Sequence, residues 1–419
     1  MIRVVRVAVV LAAVVTAFLV AGLSDLLVFV ALIFLFVALH ELGHFATAKW
    51  SHMKVTEYFI GFGPRLWSFR WGETDYGIKP IPAGAYVKII GMTSLEEVDP
   101  ADEPRTYRQQ PFHRRILVAV AGSATHYVIA FVLAWVAVVS FGVPSTSAVR
   151  VDGFVKWPGH AKTAAQTAGL RSGDRILAVD GHKVTTPTTL SADIQAAGGR
   201  PVTVAFERDG RHLTTTVSPK AGRTSGGLET LGAGNGGKQE WLVGVTTQAV
   251  TVLTGEGPVR AVGTSVIDVG RVTSATVVGL GHVFSANGLD SFFTQVTNPK
   301  RAQQAASQPQ SANRVMSLVG AARVATQAEQ QGMLYLIEIL IALNIVFALL
   351  NMLPMLPLDG GHVVIALYER IRTRRGRPYY RADASKLLPV AYAFMAALLV
   401  FVGSAVFLDI AHPAANPFH

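Results

Sequence analysis

The chain has 419 residues, of which 50% are apolar and 15% are charged, whereas soluble globular domains carry roughly 25% charged residues. It contains no cysteine, which excludes disulfides, cysteine nucleophiles and cysteine-ligated metals, so any metal must be held by His, Asp or Glu. The net charge of +10 does not indicate nucleic-acid binding, because no basic stretch is interleaved with aromatic residues. This composition predicts a membrane protein with soluble parts.

Five segments are apolar over about the 20 residues that a helix needs to cross a bilayer. They are residues 4–23, 26–49, 116–141, 334–356 and 388–408. The first has Arg3 and Arg6 at its start, and the alternative is a cleaved signal sequence, although residues 17–22 make a weak cleavage site. We predict that it is retained as an additional N-terminal span within residues 1–24, because every loop then obeys one orientation.

The distribution of Lys and Arg sets that orientation. Ten basic residues lie from Lys49, at the end of the second segment, to Arg115, just before the third, and seven lie between the last two segments. Because basic loops remain on the cytoplasmic side, both loops are predicted to be cytoplasmic. Residues 142–333 and the C-terminal tail are then predicted to lie outside.

The second segment contains His-Glu-Leu-Gly-His at positions 40–44, an H-E-x-x-H motif. Four residues advance a helix by just over one turn, so His40 and His44 project from one face and can bind one Zn²⁺. Glu41 lies beside them, where it can take a proton from the attacking water. The alternative, a polar helix end at the interface, is disfavoured because ionisable groups in an apolar span are costly.

Residues 146–220 differ from the spans, with strand-length apolar runs and turn signals that predict a small α/β domain. Val202–Phe206 and Leu213–Val217 flank Asp209-Gly210, a strong hairpin turn. Residues 168–181 resemble the turn–strand–turn signature of bacterial PDZ domains, which add a peptide strand to a sheet edge and can hold a C-terminal carboxylate. A β-rich spacer without a ligand is the alternative.

The region 221–330 is predicted to hold a linker followed by extracytoplasmic helical structure. Residues 221–240 are rich in Gly, Thr and Ser, which is typical of a flexible linker. Residues 241–247 predict another strand, and 256–285 predict a weakly amphipathic helix. Residues 286–313 have no clear period.

Two histidines leave a catalytic zinc one protein ligand short. The comparably placed acid is Asp359, in Asn-Met-Leu-Pro-Met-Leu-Pro-Leu-Asp-Gly-Gly-His at positions 351–362. The two prolines break the preceding helix, and the two glycines let the backbone bend around the carboxylate. Unwound backbone at membrane depth must be satisfied by protein or a water-filled cavity, so Asp359 is predicted to face the interior. The orientation inferred from Lys and Arg puts it at the same depth as the histidines.

The intramembrane H-E-x-x-H, the PDZ-like insert and the N-x-x-P-x-x-P-L-D-G-G segment together resemble the site-2 protease family of intramembrane zinc metalloproteases, in its bacterial PDZ-containing branch. The resemblance covers nearly the whole chain from about residue 26. It implies a polytopic α-helical protein of the bacterial cytoplasmic membrane, with four core spans and an extracytoplasmic α/β PDZ-like domain. Residues 25–141 and 331–419 are the implied catalytic membrane halves.

By this resemblance the zinc ligands are His40, His44 and Asp359, and Glu41 is the general base. Asn351 is implied to hold the substrate backbone or the developing oxyanion.

Residues 58–64 and 84–91 resemble the family's re-entrant β segment, which is expected to pair with an unwound substrate strand. Gly61, Gly63 and Gly84 are therefore expected to contact substrate. The family often carries G-x-x-x-N in its next span, whereas here Gly122 is followed by His126. We predict that His126 is a buried hydrogen-bonding residue, in preference to a polar contact at the site.

The resemblance implies cleavage within or near the transmembrane segments of single-span membrane proteins, such as anti-sigma factors or signal-peptide remnants, often after a first cut outside. The PDZ-like domain then inspects the trimmed end or excludes bulky ectodomains. A metal transporter is one alternative, but its polar residues should cross the bilayer instead of clustering at one depth. An inactive scaffold is another, although all four motif residues are present. No nucleic-acid partner is expected.

Overall fold

The structure, a computed structural model, describes residues 16, 20, 24–92, 96–155, 157, 161–225, 228–231, 240–307, 315–373 and 380–415. The predicted N-terminal span, residues 4–23, lies outside this part except for positions 16 and 20. The helices are α1 (Ser24–Trp50), α2 (Phe112–Phe141), α3 (Ala164–Thr167), α4 (Pro187–Ala196), α5 (Pro258–Val283), α6 (Ala286–Thr297), α7 (Pro299–Ala306), α8 (Leu318–Gln331), α9 (Met333–Asn351), α10 (Asp359–Arg372) and α11 (Leu388–Ala411).

Four of these helices, α1, α2, α9 and α11, are long and apolar enough to cross a membrane. They correspond to the four core spans that the sequence predicts. The span predicted at 334–356 is shorter than expected, because α9 ends at Asn351. Pro354 and Pro357 follow this end, and neither has the amide hydrogen that a continuing helix requires.

The chain divides into two compact units, one built from residues up to 137 and from 258 onward, the other from residues 138–257. In the first unit, α8 contacts α1, α9 and α11, and α9 also contacts α5. Apolar side chains from α1, α8 and α9 form one buried cluster. Its members are Phe29, Phe36, Ala322, Ala325, Leu336 and Leu340.

The first unit also contains a four-stranded sheet that follows α1. Its strands are β1 (Val55–Phe62), β2 (Trp67–Trp71), β3 (Thr74–Ile78) and β4 (Ile81–Ile89), in the order β2-β3-β1-β4. Strand β1 runs parallel to β3 and antiparallel to β4. The hydroxyl of Tyr58 donates a 2.7 Å hydrogen bond to the carbonyl oxygen of Ala38 in α1. The sheet is thereby held against the helix that carries the H-E-x-x-H motif.

The second unit is a β-rich domain with two short helices. Its strands are β5 (Val143–Phe154), β6 (Arg175–Val179), β7 (His182–Lys183), β8 (Val202–Arg208), β9 (Arg211–Val217), β10 (Lys220–Ser225), β11 (Leu228–Leu231), β12 (Glu240–Leu242) and β13 (Val245–Thr254). The main sheet has the order β13-β5-β6-β8-β9, with β7 beside β6. Asp209 and Gly210 have φ angles of 51° and 73°, as the predicted two-residue hairpin turn requires.

The linker predicted at residues 221–240 is wrong where the structure describes it, because β10 and β11 pair there. Strand β13 then pairs with β5 from Val245 to Thr254, so the sheet extends beyond the predicted boundary at residue 220. Backbone pairing does not itself require apolar alternation, so a Gly- and Thr-rich sequence conceals it. The strand predicted at 241–247 is interrupted by Gly244, whose φ angle is 76°.

Helix α5 corresponds to the helix predicted at 256–285, whereas α6 and α7 occupy a region without a clear period. Both of these helices have a polar N-cap. Ser285 accepts a hydrogen bond from the amide of Gly288, and Asn298 accepts from the amides of Lys300 and Arg301. These caps are the sequence signal that could have located them.

Candidate metal centre

Three side chains converge inside the first unit, two from α1 and one from the start of α10. The Nε2 atoms of His40 and His44 are 3.2 Å apart. Asp359 Oδ2 lies 3.5 Å from His40 Nε2 and 3.2 Å from His44 Nε2. The structure therefore brings the two histidines of the motif together with Asp359, which the sequence predicts to bind the same metal ion.

These separations fit a single zinc ion. Zinc binds imidazole nitrogen and carboxylate oxygen at about 2.0–2.2 Å in a tetrahedron, whose corners are then about 3.3–3.6 Å apart. Asp359 Oδ2 is buried and accepts no well-aligned hydrogen bond, so a cation is the partner that satisfies its charge. Three protein donors leave one tetrahedral position for water or substrate, as in catalytic zinc sites.

The ring of His44 is oriented by α2. Its Nδ1 lies 2.7 Å from the carbonyl oxygen of Val118. Because a carbonyl only accepts, Nδ1 carries the proton and Nε2 presents its lone pair to the metal position. Partners of this kind typically change metal affinity about 10–100-fold when they are removed.

Helices α1 and α2 approach each other through glycines at the site. A Cβ atom on Gly122 would clash with both histidine rings and would lie 2.6 Å from His40 Nε2. A Cβ atom on Gly43 would lie 2.8 Å from the carbonyl oxygen of Ala121. A larger residue at position 122 must therefore displace the rings of His40 and His44.

Asp359 is held at the site by the turn that joins α9 to α10. A Cβ atom on Gly360 would clash with the carbonyl groups of Met352 and Leu353, and one on Gly361 would lie 2.7 Å from the amide nitrogen of Leu356. The two glycines thus allow the turn to fold back against the first residues of α10. The carboxylate is the first side chain of that helix.

Glu41 lies on α1, next to the ligand His40 and against the four-stranded sheet. The backbone of Val87 in β4 lies near its carboxylate. Strand β4 ends the sheet and contacts α1. The acid is therefore situated between the histidine pair and a strand with an open edge.

His126 is buried beside the site and hydrogen-bonded, as the sequence predicts. Its Nδ1 lies 2.8 Å from Asn344 Oδ1, and Asn344 Nδ2 donates to the carbonyl oxygen of Leu340. The ring of His126 lies 5.0 Å from that of His40, measured between centroids. The pair joins α2 to α9 immediately next to a ligand.

A buried ion pair fixes α10 against α2. Arg115 Nη1 and Glu369 Oε2 are 2.5 Å apart, with side chains that are 4% and 5% exposed. The other oxygen of Glu369 accepts a 2.7 Å hydrogen bond from the amide of Ala382. Since Glu369 is on the same helix as Asp359, this contact also restrains Asp359.

Outside the spans, Glu73 connects the end of α1 to the loop after the sheet. It accepts hydrogen bonds from Arg105 at 2.8 Å and from Lys49 at 2.6 Å. These two cations lower the pKa of Glu73 to about 2, so the carboxylate stays ionised at neutral pH.

In the described part of the chain, no recorded contact joins the remaining predicted site residues to the donor atoms of His40, His44 and Asp359. These residues are Asn351, Gly61, Gly63 and Gly84. Asn351 is the last residue of α9. Gly61 and Gly63 have φ angles of 89° and 99°, which gives both a backbone reason to be glycine. Gly84, with φ 140°, is on the edge strand β4 and lines a cavity of about 780 Å³ beside α1 and α8.

Sequence reasoning did not identify the Val118 carbonyl, the contact of Gly122 with both ligands, or the Arg115–Glu369 pair. A signal for the close helix approach was present, because positions 119 and 121–125 all carry Ala, Gly, Ser or Thr. The ion pair has no such signal, since its partners are 254 positions apart.

Comparisons with known proteins agree with this geometry. The family model of peptidase family M50 matches residues 28–398. The zinc metalloprotease Rip1 of Mycobacterium tuberculosis is 30% identical over 426 aligned residues, which cover 93% of this chain and 98% of the relative. The zinc metalloprotease Rip1 of Mycolicibacterium smegmatis is also 30% identical, covering 93% and 97%.

Proposed function

Because the chain belongs to peptidase family M50, we propose that it is an intramembrane zinc metalloprotease. It hydrolyses peptide bonds within or near the transmembrane segments of single-span membrane proteins. The observation that carries this proposal is the convergence of His40, His44 and Asp359 in a unit whose helices can span a membrane. The names of its relatives, zinc metalloproteases, agree with it.

In this proposal the zinc is held by His40, His44 and Asp359. When bound, it supplies Lewis acidity toward the scissile carbonyl and lowers the pKa of water. Glu41 takes the proton of the attacking water and then gives it to the leaving amine. Asn351 holds the substrate backbone or the developing oxyanion.

The substrate strand adds to the open edge of β4. A helical substrate hides its peptide bonds in its own hydrogen bonds, so it must unwind before cleavage. Pairing with β4 would satisfy the freed backbone groups at membrane depth. Gly84 lies on this strand, Gly61 belongs to its neighbour β1, and Gly63 directly follows β1. The contact of Val87 with Glu41 supports β4 as the edge that leads to the base.

The protein resides in a bacterial cytoplasmic membrane, with α1, α2, α9 and α11 as its core spans and residues 4–23 as an additional one. The basic loops before α2 and after α10 lie in the cytoplasm. The second unit is then extracytoplasmic and acts as a PDZ-like domain. Substrates of the anti-sigma-factor or signal-peptide-remnant type, already cut outside, fit this arrangement.

Substitution of Asp359 by Asn tests the metal site. We expect the purified variant to lose cleavage of a single-span substrate. Its zinc affinity should fall by more than the factor of about 10–100 that follows removal of a hydrogen-bond partner of a ligand. Asp290→Asn, on exposed α6, is the matched control and should retain both. Full zinc content in the Asp359 variant would contradict the ligand assignment. Zinc flux into proteoliposomes without cleavage would instead favour a transporter.

The second unit contains a groove that fits an extended peptide. It is lined by Leu190, Ser191 and Ile194 of α4 and by residues 240–243, 245 and 247. Strand β13 ends the main sheet beside this helix, so its edge is open to a further strand. In the described part, no backbone acceptor takes the amides of Val243 or Gly244. These amides are the proposed receptors for a C-terminal carboxylate.

Peptide binding to the full chain in detergent distinguishes this proposal from a spacer domain. A peptide with a free C-terminus should bind at least about tenfold more tightly than its amidated form, because the amide lacks the charge that backbone N–H groups stabilise. Ser191→Trp, which fills the groove, should abolish binding, whereas Ala192→Trp adds the same bulk outside its lining. Equal binding of both peptides, or unchanged binding by Ser191→Trp, would favour a size filter.

A further inference from the structure

Helix α10 has an apolar stripe that is exposed in the described chain, although Tyr368 at its border packs against Tyr380 and Arg372. Val364, Leu367 and Ile371 recur at helical spacing and are 44%, 47% and 73% exposed, and Tyr368 beside them is 44% exposed. The opposite face is buried against the first unit through Ala366 and Glu369. A helix that is buried on one face and apolar on the other needs a second apolar environment.

The contacts of α10 determine its level relative to α2. Asp359, the first residue of α10, contacts His40 and His44, and the rings of these histidines lie against Gly122 of α2. Ten residues later, Glu369 meets Arg115. Gly122 and Arg115 are separated by about 10 Å of rise along α2. The end of α10 therefore lies level with the first turns of α2, which begins at Phe112.

Positive charge surrounds the exposed end of this stripe. Arg370 and Arg372 flank Ile371, and both are exposed. The neighbouring carboxylate of Glu369 is already engaged by Arg115 and by the amide of Ala382. Between positions 370 and 386 the chain has seven basic residues and one acid. Arg372 lies over the rings of Tyr368 and Tyr380, but no described carboxylate forms an ion pair with Arg370 or Arg372. An apolar stripe bordered by such arginines is the pattern of a helix at an anionic membrane surface.

We propose that the end of α10 is a docking surface for anionic phospholipid. Val364, Leu367 and Ile371 enter the boundary of the acyl chains, and Arg370 and Arg372 bind lipid phosphate groups through charge-assisted hydrogen bonds. The proposal rests on the membrane orientation given under Proposed function. Because α10 is one continuous helix from Asp359 to Arg372, lipid bound at its end restrains the metal ligand at its start.

A tryptophan placed in the stripe tests this surface in the full-length protein. Ile371→Trp is reconstituted into phosphatidylcholine vesicles that contain brominated phosphatidylcholine or brominated phosphatidylglycerol, and the quenching of its added fluorescence is measured against the parent chain. We expect quenching by both lipids, at least about twofold stronger with phosphatidylglycerol. Adding Arg370→Gln and Arg372→Gln should abolish this preference, whereas Arg260→Gln and Arg271→Gln on exposed α5 should preserve it.

Each other outcome overturns the proposal. Absence of quenching by both lipids would show that the stripe does not contact the membrane. Equal quenching by both would exclude anionic headgroups as the ligand. Loss of the preference in millimolar inorganic phosphate would assign the arginines to free phosphate. None of these measurements requires zinc or cleavage, so their failure is distinct from failure of the proposed protease activity.

Discussion

Replacement of Glu41 by Gln should leave zinc bound and reduce cleavage of a reconstituted single-span substrate by about 10²–10⁴-fold. Gln keeps the size of the side chain and its position near Val87, but it cannot accept a proton from water. The ligands His40, His44 and Asp359 are unchanged. The rate of product formation and the zinc content of the same preparation are the two measurements.

A matched control is available on α9. Glu338 is an exposed acid within another candidate span. Glu338→Gln removes one carboxylate from the membrane region without touching the metal centre, so it should cleave substrate at the parental rate. Unchanged cleavage by Glu41→Gln would exclude Glu41 as the general base. Loss of zinc from that variant would mean that the carboxylate holds the site together instead of moving protons.

The second large effect is expected from a single methyl group. Gly122→Ala should weaken zinc binding by at least about 10–100-fold, because the new Cβ atom occupies space taken by the rings of His40 and His44. Cleavage should fall in proportion to zinc occupancy. The measurement is zinc retained against a chelator of known affinity, with size-exclusion chromatography to verify that the variant is folded.

Gly403→Ala supplies the comparison, since a Cβ atom on Gly403 would meet no other atom within 4 Å. Both glycines are in candidate spans, α2 and α11, so the two substitutions change helix propensity alike. Gly403→Ala should retain zinc and activity. Parental zinc affinity in a folded Gly122→Ala variant would show that the two helices do not approach as the structure describes.

The H-E-x-x-H half of the site was predictable because its geometry is local. His40 and His44 are four residues apart, and a helix puts such residues on one face whatever surrounds them. The four core spans were predictable for a similar reason, since length and apolarity alone meet the requirements of a bilayer. Asp359 could be paired with the histidines because charge asymmetry between loops puts all three at one depth.

Other features depend on partners that are distant in the chain. Strand β13 adds to the edge of the main sheet beside β5, whereas the sequence predicts that this domain ends at residue 220. Residues 221–231 form strands without an apolar period, because the backbone supplies their hydrogen bonds. A Gly- and Thr-rich segment is equally typical of a linker, so composition could not distinguish the two.

By itself, the sequence determined the four candidate membrane spans, the residue types that could hold zinc and the reaction they would support, because helical periodicity, apolar length and side-chain chemistry are local properties. Only the tertiary structure decided the 3.2–3.5 Å spacing of the donors, the approach of Gly122 to both rings and the Arg115–Glu369 pair. These depend on how helices from opposite ends of the chain pack together, and such packing is specified by many weak contacts at once.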